Sequence, residues 1–134
     1  MSKSIIFNYV LLYYIIWPNH IWYNGCMKLK FKSPVAILGY GNEGRYAYQF
    51  LRKNKIYDIT ICDNKDHLLL PKGVKRRFGP TAFDDLSAFK TVIRSPGVRY
   101  QLPGIQKVRH RVTSLTALTL EAAADRLTAI TGSN

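Results

Sequence analysis

Apolar positions along this chain come in short runs separated by polar, glycine-rich or proline-containing stretches. Pro34-Val35-Ala36-Ile37-Leu38 is continuous, as a parallel strand buried on both faces requires, and it leads straight into Gly39-Tyr40-Gly41-Asn42-Glu43-Gly44. Ala47, Phe50 and Leu51 then recur at i, i+3, i+4 spacing, which predicts a helix with one face on a sheet. Asp58-Ile59-Thr60-Ile61-Cys62 predicts a second strand ending at Asp63. Across residues 64–79 the pattern loosens into a polar, basic stretch with Lys72, Lys75, Arg76 and Arg77 close together, which reads as a solvated face or, alternatively, a phosphate-facing one. Residues 84–89 suit a short helix or turn, and Thr91-Val92-Ile93-Arg94 a strand closed by Ser95-Pro96-Gly97-Val98. Residues 103–110 suit a short basic helix, 111–114 the last strand of the sheet, and 115–124 a helix. Thr128-Ala129-Ile130 reads as a strand entering a glycine turn at Thr131-Gly132-Ser133-Asn134. This alternation predicts an α/β fold: a Rossmann-like open parallel sheet with helices on both faces.

The opening of the chain does not share this pattern. Residues 5–17 form an apolar run of 13 positions broken by Asn8 and followed by Pro18. A membrane span needs about 20 residues, so the run is too short unless Ile21-Trp22-Tyr23 joins it across Pro18. Bulky Tyr, Trp and Ile stand where a signal peptide needs small residues. Residues 1–26 are therefore expected to be an apolar leader, helical in form. It reads first as an over-extended start ahead of Met27 or a non-native leader; an interfacial or transmembrane anchor and a helix packed on the domain are the alternatives.

Composition narrows the class. With 134 residues, 47% of them hydrophobic, the chain has room for one domain of ordinary size and is too apolar for disorder. Cys26 and Cys62 are too few for a disulfide framework or a closed zinc site, and Cys62 in its apolar run reads as a small buried thiol. A reducing, cytoplasmic setting follows as the expectation. The charge is less ordinary: 20 Lys+Arg stand against 8 Asp+Glu, a net +12, which fits an anionic ligand, a nucleic acid or a basic surface. Tyr9, Tyr13, Tyr14, Trp17, Trp22 and Tyr23 lie in the leader, away from the basic clusters, and no nucleic-acid-binding signature is present, so no nucleic-acid partner is expected. His20, His67 and His110 are far apart and unaccompanied; neither a metal site nor a catalytic residue is expected.

Strand, glycine turn, helix, strand and acid form the context in which G-x-G-x-x-G carries meaning. Gly39 permits the tight turn, Gly41 lets the backbone approach a phosphate, and Gly44 allows close helix–strand contact. The N–H groups and positive end of the helix then suit a pyrophosphate. Asp63, 19 residues beyond Gly44, is placed to accept hydrogen bonds from a ribose or base. The alternative is a glycine turn needed only for packing, with Asp63 capping a loop or helix. Ser95-Pro96-Gly97 adds a rigid turn at the carboxyl edge, where open α/β sheets bind ligands.

Three marks in order, Val35-Ala36-Ile37-Leu38-Gly39-Tyr40-Gly41-Asn42-Glu43-Gly44, Arg94-Ser95-Pro96-Gly97-Val98 and Ala129-Ile130-Thr131-Gly132-Ser133-Asn134, resemble the amino-terminal region of the Mur ligases. The resemblance covers residues 34–134 and implies residues 27–114 as a Rossmann-like UDP-binding domain. Residues 115–134 would be a linker helix and the first strand of a truncated ATPase domain. In this family ATP and magnesium phosphorylate the carboxylate of a UDP-muramoyl substrate, and an amino acid attacks the acyl phosphate to form an amide. By position, Gly39, Gly41, Asn42, Glu43 and Gly44 would cradle the UDP phosphates, with only the backbone of Glu43 able to help. Asp63 and Asn64 would reach the uracil and ribose, and Ser95 and Gly97 would close on the nucleotide. Thr131, Gly132, Ser133 and Asn134 match the first half of the ATP loop, without its following Gly-Lys-Ser/Thr.

Thr113-Ser114-Leu115-Thr116 also lacks the acidic residues often found after this strand in the family. The chain is thus expected to be a monomer that binds UDP-N-acetylmuramoyl-L-alanine weakly and catalyses nothing alone. ATP and magnesium belong to the intact enzyme, and no cofactor is expected here. A membrane partner is expected only if residues 1–26 are an anchor. A dinucleotide-binding regulatory module is the rival reading; it accounts for the glycine turn and Asp63 but not for Ser95-Pro96-Gly97.

Overall fold

A computed structural model of the chain describes residues 32–122. The expectations for residues 1–26, for the strand at 128–130 and for Thr131, Gly132, Ser133 and Asn134 lie outside the described residues. The sheet and its covering segments belong to one compact unit, Lys30–Leu115; residues from Thr116 onward fall outside that unit.

All four side chains of β1 (Val35–Leu38) are buried, which is why the run has no polar position. β1 is the middle strand of five, all parallel. On one side it pairs with β2 (Ile59–Asp63), which pairs with β3 (Lys75–Phe78). On the other it pairs with β4 (Thr91–Arg94), which pairs with the two-residue β5 (Val112–Thr113). The order β3-β2-β1-β4-β5 places a reversal of direction of the strand order at β1 and β4.

Helix α1 (Asn42–Lys53) buries Gly44, Ala47 and Leu51 and leaves Phe50 half-buried. It covers the face carrying Ile37, whose Cγ2 lies 3.5 Å from where a Gly44 Cβ would stand. Glu43 in its first turn and Arg52 and Lys53 in its last complement the helix dipole. The helix stops in a Schellman arrangement: Lys55 N–H bonds the Arg52 carbonyl, Ile56 N–H bonds the Leu51 carbonyl, and Lys55 takes φ +62°.

The opposite face carries Ala36, Leu38, Cys62 and Val92, packed with Ala82, Leu86, Phe89, Ile105 and Val108. Ile105 comes from the short helix α2 (Pro103–Lys107), so helices lie on both faces of the sheet, as expected. A 3₁₀ turn (Arg109–Arg111) leads into β5, and helix α3 (Leu115–Ala122) follows. The segment 79–90 covers its face with turns, the turn alternative of the sequence reading.

One strand was not legible. β3 falls in the stretch read as polar and basic, where Lys75, Arg76 and Arg77 pair with Thr60, Ile61 and Cys62. It is an outer strand with Lys75 and Arg76 exposed, so it has no apolar alternation to detect. Charge at such an edge opposes pairing with other chains. Among the described residues, no helix is long and apolar enough to cross a membrane.

Candidate functional site

Register brings the separate sequence marks to one edge of the sheet. Gly39 N–H donates to the Cys62 carbonyl at 2.8 Å, and Ser95 N–H donates to the Leu38 carbonyl at 3.0 Å. Gly79 N–H donates to the Asp63 carbonyl at 3.0 Å. Each bond extends the ladder one step past the strand ends, so Gly39 sits level with Asp63 on one side and Ser95 on the other. The glycine turn, the end of β2 and the Ser95–Pro96–Gly97 turn therefore share the carboxyl edge. β1 and β4 part there to opposite sides of the strand order, the place where open α/β sheets form a crevice.

The turns also hold each other. Ser95 Oγ donates to the Gly39 carbonyl at 3.1 Å, and Val98 N–H closes the turn on the Ser95 carbonyl at 3.0 Å. Gly39 has φ +84°, and a Cβ there would stand 3.0 Å from Val98 Cγ2 and 3.3 Å from Ser95 Cβ. A Cβ on Gly44 would overlap the Gly39 carbonyl. Both glycines are thus needed by the packing. Gly41 and Gly97 are different: neither has a positive φ, and a Cβ at either would meet nothing within 4 Å. The fold does not require glycine at these two positions, one on each side of the crevice.

Gly41 is the N-cap of α1, with extended backbone, and its carbonyl accepts the Arg45 N–H at 3.0 Å. Helix geometry leaves the N–H groups of Asn42, Glu43 and Gly44 without partners inside the helix. They form the positive end of the helix dipole, which suits an anion. Asn42 and Asn64 are exposed, Asn64 in a bend just after β2.

Asp63 has a structural task in this edge. Its Oδ2 accepts the Tyr40 N–H at 2.7 Å and its Oδ1 accepts the Lys65 N–H at 2.9 Å, with the residue only 7% exposed. It caps the glycine turn and its own exit loop, the alternative weighed for it in the sequence. Tyr40, between the first two glycines, is buried, and that burial raises its phenol pKa; nearby Arg45 acts in the opposite direction and Tyr48 in the same one. The Arg45 guanidinium lies 5.8 Å from the Tyr40 ring centre.

Arg94 has no assigned role in the sequence reading beyond membership of its motif. Its Nη1 donates to the Val98 carbonyl at 2.6 Å and to the Ser95 carbonyl at 3.3 Å. The guanidinium stands 5.7 Å from the Tyr100 ring centre. Glu43 feels this cation: burial raises the Glu43 pKa, and Arg94 partly offsets it. Nothing in the spacing of residues 43 and 94 signals this electrostatic influence; the parallel register of β1 and β4 brings the ends of their strands to one edge.

Cys62 is buried beneath the edge, and burial pushes its thiol up to about 11, against the pull of Arg77. That makes it a packing residue with no thiolate at neutral pH. Among the described residues, no group of three or more His, Cys, Asp or Glu side chains could hold a metal ion. A scan against models of known protein families finds no match to this chain.

Proposed function

We propose that the chain is the amino-terminal, UDP-sugar-binding part of an ATP-dependent Mur ligase. Within that class the D-glutamate-adding member, UDP-N-acetylmuramoyl-L-alanine:D-glutamate ligase, is the best fit, because Thr131-Gly132-Ser133-Asn134 resembles its ATP loop. The L-alanine-adding enzyme is the nearest alternative and ordinarily has a different glycine signature and a histidine-containing loop.

The observation that carries the reading is the docking of the Ser95–Pro96–Gly97 turn on Gly39, with Gly41 and Gly97 left open on either side. A diphosphate would lie across the N–H groups of Asn42, Glu43 and Gly44, with Gly41 and Gly97 admitting its oxygens close to the backbone. Glu43 contributes its N–H alone; its carboxylate would oppose a second negative charge. Asp63 acts through the turn it caps, and exposed Asn64 is the side chain free to meet the uracil or ribose. ATP, magnesium and the amino acid act in the intact enzyme, in a cytoplasmic setting. No catalytic residue is assigned to the described residues.

Calorimetric titration of the full chain with UDP-N-acetylmuramoyl-L-alanine and, separately, with NADH tests this reading. The UDP ligand is expected to bind and NADH to give no heat. Tight NADH binding with no response to the UDP ligand would replace the assignment with a dinucleotide-sensing module.

A further inference from the structure

We infer that the β2–β3 crossover is a docking loop for an anionic lipid surface. Leu69 is 91% exposed, the most exposed of the large apolar side chains among the described residues. It lies between the half-buried Leu68 and Leu70 and is followed by exposed Pro71, Lys72 and Gly73, in a stretch without helix or strand. Lys65 and Lys72 flank this apolar tip, and Lys75 and Arg76 follow on the outer strand, all four exposed. The acids on these elements are few. Asp66 lies 3.3 Å from His67, and Asp58 lies 2.7 Å from Lys75. Asp58 thus offsets Lys75, and Asp66 remains an exposed acid beside the tip; what is left is an exposed leucine flanked along the chain by Lys65, Lys72 and Arg76.

A bilayer of anionic lipid meets both requirements without a shaped pocket. Its interior takes the leucine side chain, and its headgroup layer supplies negative charge at whatever spacing the cations adopt. A protein groove would have to match an irregular loop residue by residue and supply paired acids for each cation. This surface is separate from the crevice between β1 and β4, and the inference does not rest on the proposed ligase reading. It also differs from anchoring by the apolar leader, since it needs none of residues 1–26.

The test is co-sedimentation of the full chain with vesicles of equal parts phosphatidylcholine and phosphatidylglycerol, against vesicles of phosphatidylcholine alone. Binding is expected to the anionic vesicles only and to weaken as salt is raised. Leu69→Glu, and separately the pair Lys72→Glu with Arg76→Glu, should each lower the partition coefficient by about tenfold. Because these side chains are exposed, circular dichroism melts of both variants should match the parent. Equal binding to neutral vesicles would overturn the inference. So would anionic binding that neither variant weakens, which would assign it to another part of the chain, or no binding at all.

Discussion

Gly39 and Gly44 are held to glycine by the fold itself: one by a positive φ under the Ser95–Val98 turn, the other by the carbonyl of the first. Alanine at either position is expected to cost about 2–4 kcal/mol, seen as a clear fall in Tm. Gly41 carries no such constraint, so Gly41→Ala should change stability by no more than about 1 kcal/mol, the scale of an N-cap change. Cys62, buried with its thiol pushed up to about 11, should resist alkylation at neutral pH in the folded chain and react once denaturant is added. Peptide mapping after iodoacetamide treatment reads that difference; fast labelling of the native chain would contradict the packing described. Glu43 gives a pH dependence. Its pKa is raised above the ordinary 4.5, so the folded chain favours the protonated form. That contribution is complete below the ordinary value and is lost as pH rises through the raised one. Glu43→Gln should therefore gain stability relative to the parent as pH rises from about 4 to about 7, by a small margin because Arg94 opposes the shift. Denaturant midpoints at the two pH values measure it, and a gap that narrows with rising pH would contradict the sign.

Strands with buried apolar residues are legible in the sequence, and the exposed, charged β3 is not. β1 is a continuous apolar run, and β2 and β4 are buried along most of their length, because both faces of the sheet are covered; α1 shows helical spacing because Gly44, Ala47 and Leu51 form its buried stripe. β3 has neither signal: Lys-Arg-Arg-Phe at the edge is specified by pairing with β2, and the strand face it shows to water tolerates charge. The site was legible as glycines, an acid and a Ser-Pro-Gly turn, since turns impose residue types that spacing preserves. The task of Asp63 was legible only as two alternatives, because a carboxylate suits a ribose and a backbone N–H alike. Arg94 was not legible as a brace, because its acceptors are carbonyls of the turn it precedes. Two element-scale outcomes follow. Lys55 sits at φ +62° in the Schellman stop of α1, so Lys55→Gly should raise stability by about 1 kcal/mol. An unchanged or lowered Tm would show that this stop is not as described. Ser95→Ala removes the Oγ bond to Gly39 and should cost about 0.5–1.5 kcal/mol while loosening the turn. Faster amide hydrogen exchange at Val98, with Gly39 still protected by Cys62, would report that loosening.

On the scale of the molecule, the strand order brings marks distant in the sequence to one edge of the sheet. The fold supplies an open edge with helix N–H groups on one side and a braced turn on the other; the proposed ligand is a diphosphate lying between them. The central claim is that Gly41 is glycine for a ligand and not for the fold. Its most direct test pairs a thermal melt with a calorimetric titration of UDP-N-acetylmuramoyl-L-alanine on the parent chain and on Gly41→Ala. The melts are predicted to agree to within the small change expected of an N-cap, and the affinity to fall by about tenfold, equivalent to about 1.4 kcal/mol. Equal affinities for the two chains, or a collapse in stability that matches the loss of binding, would contradict it.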